Sequence, residues 1–206
     1  NGHYVELSYR EAFEQASAVA EQLLALGGSQ ETPLMILSGA SRAHFVVASA
    51  AMMAGVPYVP VSTSYTAVEA AFSKLQAVFE KTRPRFIWSD CYADQEHALA
   101  TAGITAASVI WLGSRDNKQS TPLATTVSPA GESRVKVRAA SLGRDTIARY
   151  MFTSGSTGSP KGVIHTHGMV GAMLAARAAL GEDEPEAEPP RFLDWMPWSH
   201  VGAGVL

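Results

Sequence analysis

The chain has 206 residues, 47% of them hydrophobic and 17% charged, so it is long enough to bury one sizeable core. Its formal net charge is -3 and its lysines and arginines are scattered, which argues against binding to nucleic-acid phosphates. The longest apolar run, Phe45 to Val61, is interrupted by Ser49, Gly55 and two prolines, so we expect no membrane span. Cys91 is the only cysteine, which excludes an internal disulfide and a cysteine zinc cluster.

The two ends of the sequence predict a location and a boundary. The first residues, NGHYVELSYRE, carry charge where a secretory signal is apolar, so we expect a cytoplasmic protein. Residue 1 is Asn, and the final run RFLDWMPWSHVGAGVL still reads as an element buried inside a fold. We therefore expect a piece of a larger protein that is truncated at both ends.

Capping residues predict the first helices. Ser8-Tyr9-Arg10-Glu11 is a capping box, and the helix that it begins is predicted to end at Gly27-Gly28. The apolar residues of this helix recur at helical spacing: Phe13, Ala16, Ala20, Leu23 and Leu24. Thr66 to Glu69 repeats the box and predicts a helix to about Lys81. Two further helices are predicted, from Ser41 to Gly55 and at Ala93–Ala102.

Short apolar runs bounded by turn residues alternate with these helices and predict strands. They lie at Pro33–Ser38, Tyr58–Ser62, Arg85–Ser89 and Ser108–Leu112. This alternation, with connections long enough for crossovers, predicts an α/β fold with a mainly parallel sheet flanked by helices. The periodicity fades from Gly113 to Asp145, where we expect a hidden strand or helix with Arg134–Arg138 as its candidate position.

A loop rich in glycine and hydroxyl residues follows. Ala148–Phe152 is a predicted strand, Val163–His165 is a second extended segment, and the run between them reads TSGSTGSPKG. Thr166 is predicted to cap a helix through Leu180, which Gly181 ends. The acidic, proline-rich run 181–190 is most simply a solvated surface loop.

This loop has the residue types that nucleotide phosphates require. Glycines let backbone amides approach an anion closely, hydroxyls add donors or Mg²⁺ ligands, and Lys161 brings a positive charge. The alternative is a flexible surface turn, but such a turn has no need of hydroxyls, paired glycines and a lysine together. The pattern therefore predicts a phosphate-binding loop.

Three common motifs fail on spacing. A Walker loop opens a helix at its lysine, whereas Pro160 and Gly162 flank Lys161 and oppose a helix. A nucleophile elbow centres one serine between glycines, and Gly155-Ser156-Thr157-Gly158 has a different register. The glycine spacing of a dinucleotide-binding loop is also absent.

Residues Thr153 to Val163 resemble, at every position, the phosphate loop [ST]-S-G-[ST]-T-G-x-P-K-G-V of the adenylate-forming superfamily. This superfamily includes acyl-CoA synthetases, luciferases and peptide-synthetase adenylation domains. SYREAFEQASAVAEQLLALG resembles its early helix, and SGASRAHFVVASAAMMAGVPYVPVSTSY resembles its following strand-helix-strand segment. FTSGSTGSPKGVIHTHGMV and FLDWMPWSHVGAG look most similar to feruloyl-CoA synthases and related aryl or acyl-CoA ligases.

The resemblance implies a function, a domain and a set of site residues. Residues 1–206 are expected to form part of the large N-terminal AMP-binding domain, without the C-terminal lid. The implied reaction joins a carboxylic acid to ATP as an acyl-adenylate and then transfers the acyl group to coenzyme A. His200 and Lys161 are the implied catalytic residues, and Thr157 is the implied Mg²⁺ neighbour. The implied ATP ligands are Thr153, Ser154, Gly155, Ser156, Thr157, Gly158 and Lys161.

Other interpretations stay open. The protein can instead be a peptide-synthetase adenylation domain or a non-catalytic nucleotide-binding protein. Taken alone, His200 also fits a histidine whose partners are backbone groups near a strand end. His165 and His167 suggest a metal pair, but no carboxylate or cysteine stands at ligand spacing, so we expect local packing. The remaining aromatic and histidine candidates are expected to be packing or ordinary helix residues: Trp195, Trp198, His44 and His97.

Overall fold

A computed structural model of the protein describes residues 6–105, 108–113, 120–153, 158–179 and 196–200. The strands are β1 (Leu34–Leu37), β2 (Tyr58–Pro60), β3 (Phe86–Ser89), β4 (Ile110–Leu112), β5 (Ile147–Thr153) and β6 (Lys161–Thr166). Together they form one sheet in the order β4-β3-β1-β2-β5-β6. All neighbouring pairs are parallel except β5 and β6, which are antiparallel. The predicted mainly parallel α/β sheet is therefore confirmed.

Helices flank this sheet. They are α1 (Tyr9–Ala25), α2 (Arg42–Ala54), α3 (Ser64–Ala67), α4 (Phe72–Thr82), α5 (Glu96–Thr101), α6 (Pro129–Ala140) and α7 (His167–Ala179). The capping box at Ser8 and Glu11 is confirmed, because each side chain accepts a hydrogen bond from the amide of the other residue. The predicted end of α2 is also confirmed, since Gly55 has a left-handed φ of 65°. Within the described residues, none of the helices combines the length and the apolar character needed to cross a membrane.

Alternate residues of β1 enter two separate cores. Leu34 and Ile36 pack with α1, α2 and α6, whereas Met35 and Leu37 pack with α4 and α5 on the opposite face. All four side chains are at most 2% exposed. The prediction of a strand buried on both faces is confirmed, and its physical cause is the two-residue period of a strand.

The predicted helix from Thr66 to Lys81 is wrong in its first part. Thr66 lies inside α3, where its hydroxyl donates to the Thr63 carbonyl at 3.1 Å instead of capping a new helix. Val68 then adopts extended backbone angles, φ -118° and ψ 115°. After a 3₁₀ turn, α4 begins only at Phe72.

The predicted helix at Ala93–Ala102 is shorter than expected, because α5 begins at Glu96. The residue before it, Gln95, is buried and uses its side-chain amide in tertiary contacts. It accepts from the Ser89 hydroxyl at 2.7 Å and donates to the Leu37 carbonyl at 2.9 Å. These bonds tie the start of α5 to the ends of β3 and β1, a constraint that helical periodicity does not contain.

The element expected between Gly113 and Asp145 is the helix α6. It begins at Pro129, after the Ser128 hydroxyl accepts a hydrogen bond from the Gly131 amide, and it includes the candidate segment Arg134–Arg138. Proline is well tolerated in the first turn of a helix, where its missing amide hydrogen has no partner to lose. The expectation of a hidden element is confirmed.

β5 and β6 form the hairpin that carries the glycine-rich loop. Thr153 pairs with Lys161, and Phe152 pairs with Gly162. A Cβ atom at Gly162 would lie 3.3 Å from the Phe152 ring, so glycine suits this close approach. After β6, the Thr166 hydroxyl accepts from the Met169 amide at 3.3 Å, which confirms it as the cap of α7. Leu180 and the predicted surface loop 181–190 lie outside the described residues.

Candidate functional site

The glycine-rich loop leaves the sheet at the edge where its parallel strands end. β1, β2 and β5 run parallel, so their carboxyl ends lie along the same edge. In open α/β sheets, ligands bind in the crevices beyond this edge. The fold therefore puts the loop where a ligand-binding loop is expected.

Three of the predicted phosphate ligands lie in the described part of the chain. Thr153 is the exposed last residue of β5, and Lys161 is the exposed first residue of β6. Gly158 has a φ of 95°, and no heavy atom lies within 4 Å of the position that a Cβ would occupy. A left-handed glycine in open space, in a loop whose two strand ends carry an exposed threonine and an exposed lysine, fits an anionic ligand.

The other predicted phosphate ligands are outside the described residues. They are Ser154, Gly155, Ser156 and Thr157, and they include the candidate neighbour of Mg²⁺. Their roles therefore stay predictions that rest on the sequence pattern.

Lys81, at the end of α4, contacts Ser159 and Pro160, the last two residues of the loop before β6. Its ammonium group donates to the Pro160 carbonyl at 2.7 Å and lies 3.4 Å from the Ser159 hydroxyl. Pro160 itself is buried. The two residues before Lys161 are thus tied to a helix that is distant in sequence, a contact that nothing in the loop motif predicts.

His200 lies in a turn at the same edge of the sheet, where its amide donates to the Pro197 carbonyl at 2.8 Å. This turn helps to enclose a cavity of about 220 Å³. The cavity is lined from the turn by Met196, Pro197, Trp198 and Ser199, and from the ends of β1 and β2 by Ser38, Gly39, Ala40 and Thr63. Only β2 separates β1 from β5, and neighbouring strands lie about 4.8 Å apart. The structure therefore brings the predicted substrate turn and the phosphate loop to one edge.

Buried His44 supports this turn. It is 2% exposed, and its ring meets the Trp198 ring edge-on, with centroids 5.0 Å apart and an interplanar angle of 84°. Its Nδ1 lies 3.0 Å from the Ser38 hydroxyl. The expectation that Trp198 packs is confirmed, whereas Trp195 lies outside the described residues. The sequence signal for His44 is its place in the first turn of α2, directly after the loop that follows β1.

Arg149 is a buried arginine in the strand that feeds the loop. It is 7% exposed, its Nε donates to His165 Nδ1 at 3.0 Å, and a terminal nitrogen donates to the Tyr58 hydroxyl at 3.1 Å. Neither ion pair between described side chains includes Arg149. These bonds link β2, β5 and β6, so they fix the base of the hairpin. Its sequence signal is an arginine inside an otherwise apolar strand, a position that lies outside the loop motif.

His165 and His167 make separate local contacts. His165 accepts from Arg149, as described above, and the His167 amide donates to the Thr146 carbonyl at 2.9 Å. The described residues contain no group of three histidine, cysteine or carboxylate side chains arranged to hold a metal ion. Both residues are half-buried.

We predict that acid destabilises the fold through one buried and two half-buried histidines. Burial lowers the pKa of His44, His165 and His167, and the nearby Arg149 charge lowers that of His165 further. The unfolded chain, with a histidine pKa of about 6.5, then binds protons at a pH where the folded protein does not. The stabilising contribution is complete above that pH and is lost as the pH falls through it toward the folded pKa values. Urea unfolding at several pH values between about 7 and 5 measures the slope.

A His165→Gln variant isolates one part of this slope. We expect its free energy of unfolding to fall less steeply with acid than that of the wild type. His97→Gln, at an exposed position on α5, is the matched control. Equal slopes for the wild type and His165→Gln would show that His165 does not contribute.

The whole chain matches the sequence profile of the family described as AMP-binding enzyme, over residues 1–206. The chain belongs to the AMP-binding enzyme family. This membership confirms the resemblance to the adenylate-forming superfamily, which was based on the run Thr153 to Val163.

Known relatives of this AMP-binding enzyme chain are much longer than the chain itself. Nonribosomal peptide synthetase ecdA of Aspergillus rugulosus is 32% identical over 177 residues, which cover 84% of this chain and 2% of that protein. Carboxylic acid reductase of Mycobacterium marinum is 26% identical over 224 residues, covering 97% of this chain and 18% of that protein. The chain thus spans less than a fifth of the length of either relative.

Two solved structures share the fold of this chain. The inhibitor-bound N-terminal domain of FACL13 from Mycobacterium tuberculosis has a TM-score of 0.68 at 20% identity, covering 98% of this chain and 47% of that one. ATP-bound MatB from Rhodopseudomonas palustris has a TM-score of 0.65 at 20% identity, covering 98% of this chain and 38% of that one. The architecture is that of the N-terminal domain of adenylate-forming enzymes.

Proposed function

We propose that this chain is the phosphate-binding part of an enzyme that activates a carboxylic acid with ATP. The observation that carries the proposal is the β5–β6 hairpin, which presents Thr153, Gly158 and Lys161 at the ligand-binding edge of the sheet. Membership of the AMP-binding enzyme family supports it. Residues 1–206 form part of the large N-terminal AMP-binding domain of that enzyme.

The loop binds the β- and γ-phosphates of ATP. The Thr153 hydroxyl, the amides around Gly158 and the Lys161 ammonium group supply donors and positive charge to the phosphate oxygens. Ser154, Gly155, Ser156 and Thr157 complete the set. A Mg²⁺ ion beside Thr157, when bound, supplies further charge neutralisation.

The reaction proceeds in two displacements. A carboxylate oxygen of the acid attacks the α-phosphorus of ATP, the bond to the bridging oxygen breaks, and pyrophosphate leaves with its electrons. The thiolate of coenzyme A then attacks the acyl carbon of the adenylate, and AMP leaves. The protein provides positioning and charge neutralisation, so it needs no nucleophile of its own.

The substrate is an aryl or hydroxycinnamic-type acid, and the enzyme is similar to feruloyl-CoA synthases. Two observations support this class: the sequence of the hairpin and of the His200 turn, and the apolar side of the cavity formed by Met196, Pro197 and Trp198. His200 lies beside the carboxyl group of the acid in this proposal.

Carboxylate-dependent exchange of labelled pyrophosphate into ATP tests the activation step in the full-length protein. We expect exchange with ferulate or benzoate and none without an acid. Mass spectrometry then detects the acyl-CoA thioester when coenzyme A is added. Exchange with amino acids alone would overturn the substrate class, and absence of exchange with every acid would overturn the activation step.

A second candidate acceptor is the thiol of a carrier domain. The peptide synthetase and the carboxylic acid reductase among the relatives favour it. The same activated acid would then be captured by a phosphopantetheine thiol rather than by coenzyme A. Acyl transfer to a carrier protein without acyl-CoA formation would select this alternative.

We predict that His200→Ala weakens use of the acid more than use of ATP. Loss of one polar contact to the carboxyl group corresponds to a reduction of about two- to tenfold in kcat/KM for the acid. KM for ATP should stay close to the wild-type value. His97→Ala, at an exposed position on α5, is the control. An equal loss for both substrates would place His200 outside the acid site.

A further inference from the structure

We propose that Lys81 is a positioning residue of the phosphate loop. Its ammonium group holds the peptide that joins Pro160 to Lys161, and so orients Lys161 for ATP. This proposal rests on the proposed function of the loop. Nothing in the loop motif points to Lys81, which precedes Pro160 by 79 positions.

The helix that carries Lys81 is firmly fixed on the sheet. α4 buries Phe72, Leu75 and Val78 in the core beneath it, with at most 6% of each side chain exposed. Lys81 itself lies in the last turn, where the exposed carbonyls of a helix favour a positive charge. The helix therefore places the exposed residue Lys81 where its ammonium group reaches the Pro160 carbonyl.

Lys81 acts on one particular peptide unit. Its Nζ donates to the Pro160 carbonyl at 2.7 Å, and the nitrogen of that same peptide belongs to Lys161. The described peptides contain no cis bond, so the carbonyl and the Lys161 amide point in opposite directions. A carbonyl held toward α4 consequently turns the Lys161 amide away from α4.

The same contact sets the start of β6. Lys161 is the first residue of that strand and pairs with Thr153, the last residue of β5. The weaker contact from Lys81 to the Ser159 hydroxyl, at 3.4 Å, adds a second point of attachment. Lys161 is paired with Thr153 and follows a peptide held to α4, so it has fewer conformations to lose when an anion binds. This lowers the ordering cost of binding.

A substitution series in the full-length protein tests the proposal by pyrophosphate exchange. Lys81→Met removes the donor and keeps most of the side-chain volume, whereas Lys81→Arg keeps a donor. We expect Lys81→Met to raise KM for ATP about two- to tenfold with little change in kcat, because Lys81 acts on ATP only through the position of Lys161. Lys81→Arg should recover at least half of that loss.

Lys74→Met is the matched control. Lys74 lies on the same helix, but its ammonium group faces the Tyr65 ring at 5.8 Å from the ring centroid. It should leave KM for ATP unchanged. An equal effect of Lys74→Met and Lys81→Met would overturn the proposal, because the cause would then be the charge of the helix or its stability.

A double-mutant cycle with Lys161→Ala separates positioning from direct phosphate contact. If Lys81 acts through Lys161, then Lys81→Met should add little in the Lys161→Ala background. Full additivity of the two substitutions would overturn the proposal. An unchanged KM for ATP in Lys81→Met would also overturn it. So would a fall in the melting temperature of Lys81→Met that is large enough to account for its loss of activity. Failure of the proposed function is distinguishable, because the wild-type protein would then show no carboxylate-dependent exchange.

Discussion

Replacing Lys161 by alanine should lower kcat/KM for ATP by about 10- to 100-fold, the effect of removing a charge-assisted hydrogen bond to a phosphate oxygen. The loss should affect both KM for ATP and the rate of adenylation, because the phosphate charge grows on the leaving pyrophosphate. The side chain is exposed at the start of β6. The free energy of unfolding should therefore change by no more than about 0.5 kcal/mol. Pyrophosphate exchange and urea unfolding measure the two halves of this prediction.

Lys136→Ala is the control for a lysine removed from the surface. Its ammonium group lies 2.6 Å from the Glu132 carboxylate on α6, and 62% of its side chain is exposed. It should change neither exchange nor stability appreciably. A large fall in the melting temperature of Lys161→Ala would mean that Lys161 is structural, and an unchanged kcat/KM would remove it from the ATP site.

The largest effect on stability is expected from Phe86→Ala. Phe86 lies in β3, is fully buried, and contributes to the core beneath α1 and α2. Removing a buried phenyl group costs about 3–5 kcal/mol, which is a large part of the total stability of a typical domain. Urea unfolding should show a lower midpoint with an unchanged m-value.

Phe13→Ala is the matched control for Phe86→Ala. Phe13 lies on α1 and is 45% exposed, so its removal should cost much less than that of Phe86. The helical spacing of Phe13 groups it with buried Ala16 and Ala20, yet the structure leaves it partly in solvent. Equal losses of stability for the two variants would contradict the described packing.

Local signals in the sequence were sufficient for the order and type of most elements. The capping box at Ser8 and the left-handed glycine at Gly55 depend only on nearby residues, and both are confirmed. The second predicted capping box, at Thr66, is wrong because the Thr66 hydroxyl donates to the Thr63 carbonyl instead of capping a helix. The sequence pattern does not distinguish these two hydrogen bonds. The predicted start of α5 is wrong because Gln95 is hydrogen-bonded to residues of β3 and β1. Sequence periodicity carries no information on such contacts.

The candidate site also contains residues that could be predicted from local sequence and residues that could not. The phosphate loop could be predicted because its glycines, hydroxyls and lysine are consecutive, and its position at the sheet edge follows from the strand that precedes it. Lys81, His44 and Arg149 could not, because each reaches the site through tertiary contacts with residues distant in sequence. When a single charged residue or histidine lies in a helix or strand, no local sequence pattern identifies its distant partner.

In the proposed reaction, a carboxylate attacks the α-phosphorus of ATP held by the loop. This attack is tested most directly with a substrate acid labelled with ¹⁸O in its carboxyl group, followed by mass spectrometry of the nucleotide and phosphate products. We predict that one labelled oxygen appears in AMP, because the acyl oxygen stays on phosphorus when the thiol displaces the nucleotide. Label in inorganic phosphate, with ADP as the nucleotide product, would contradict the account.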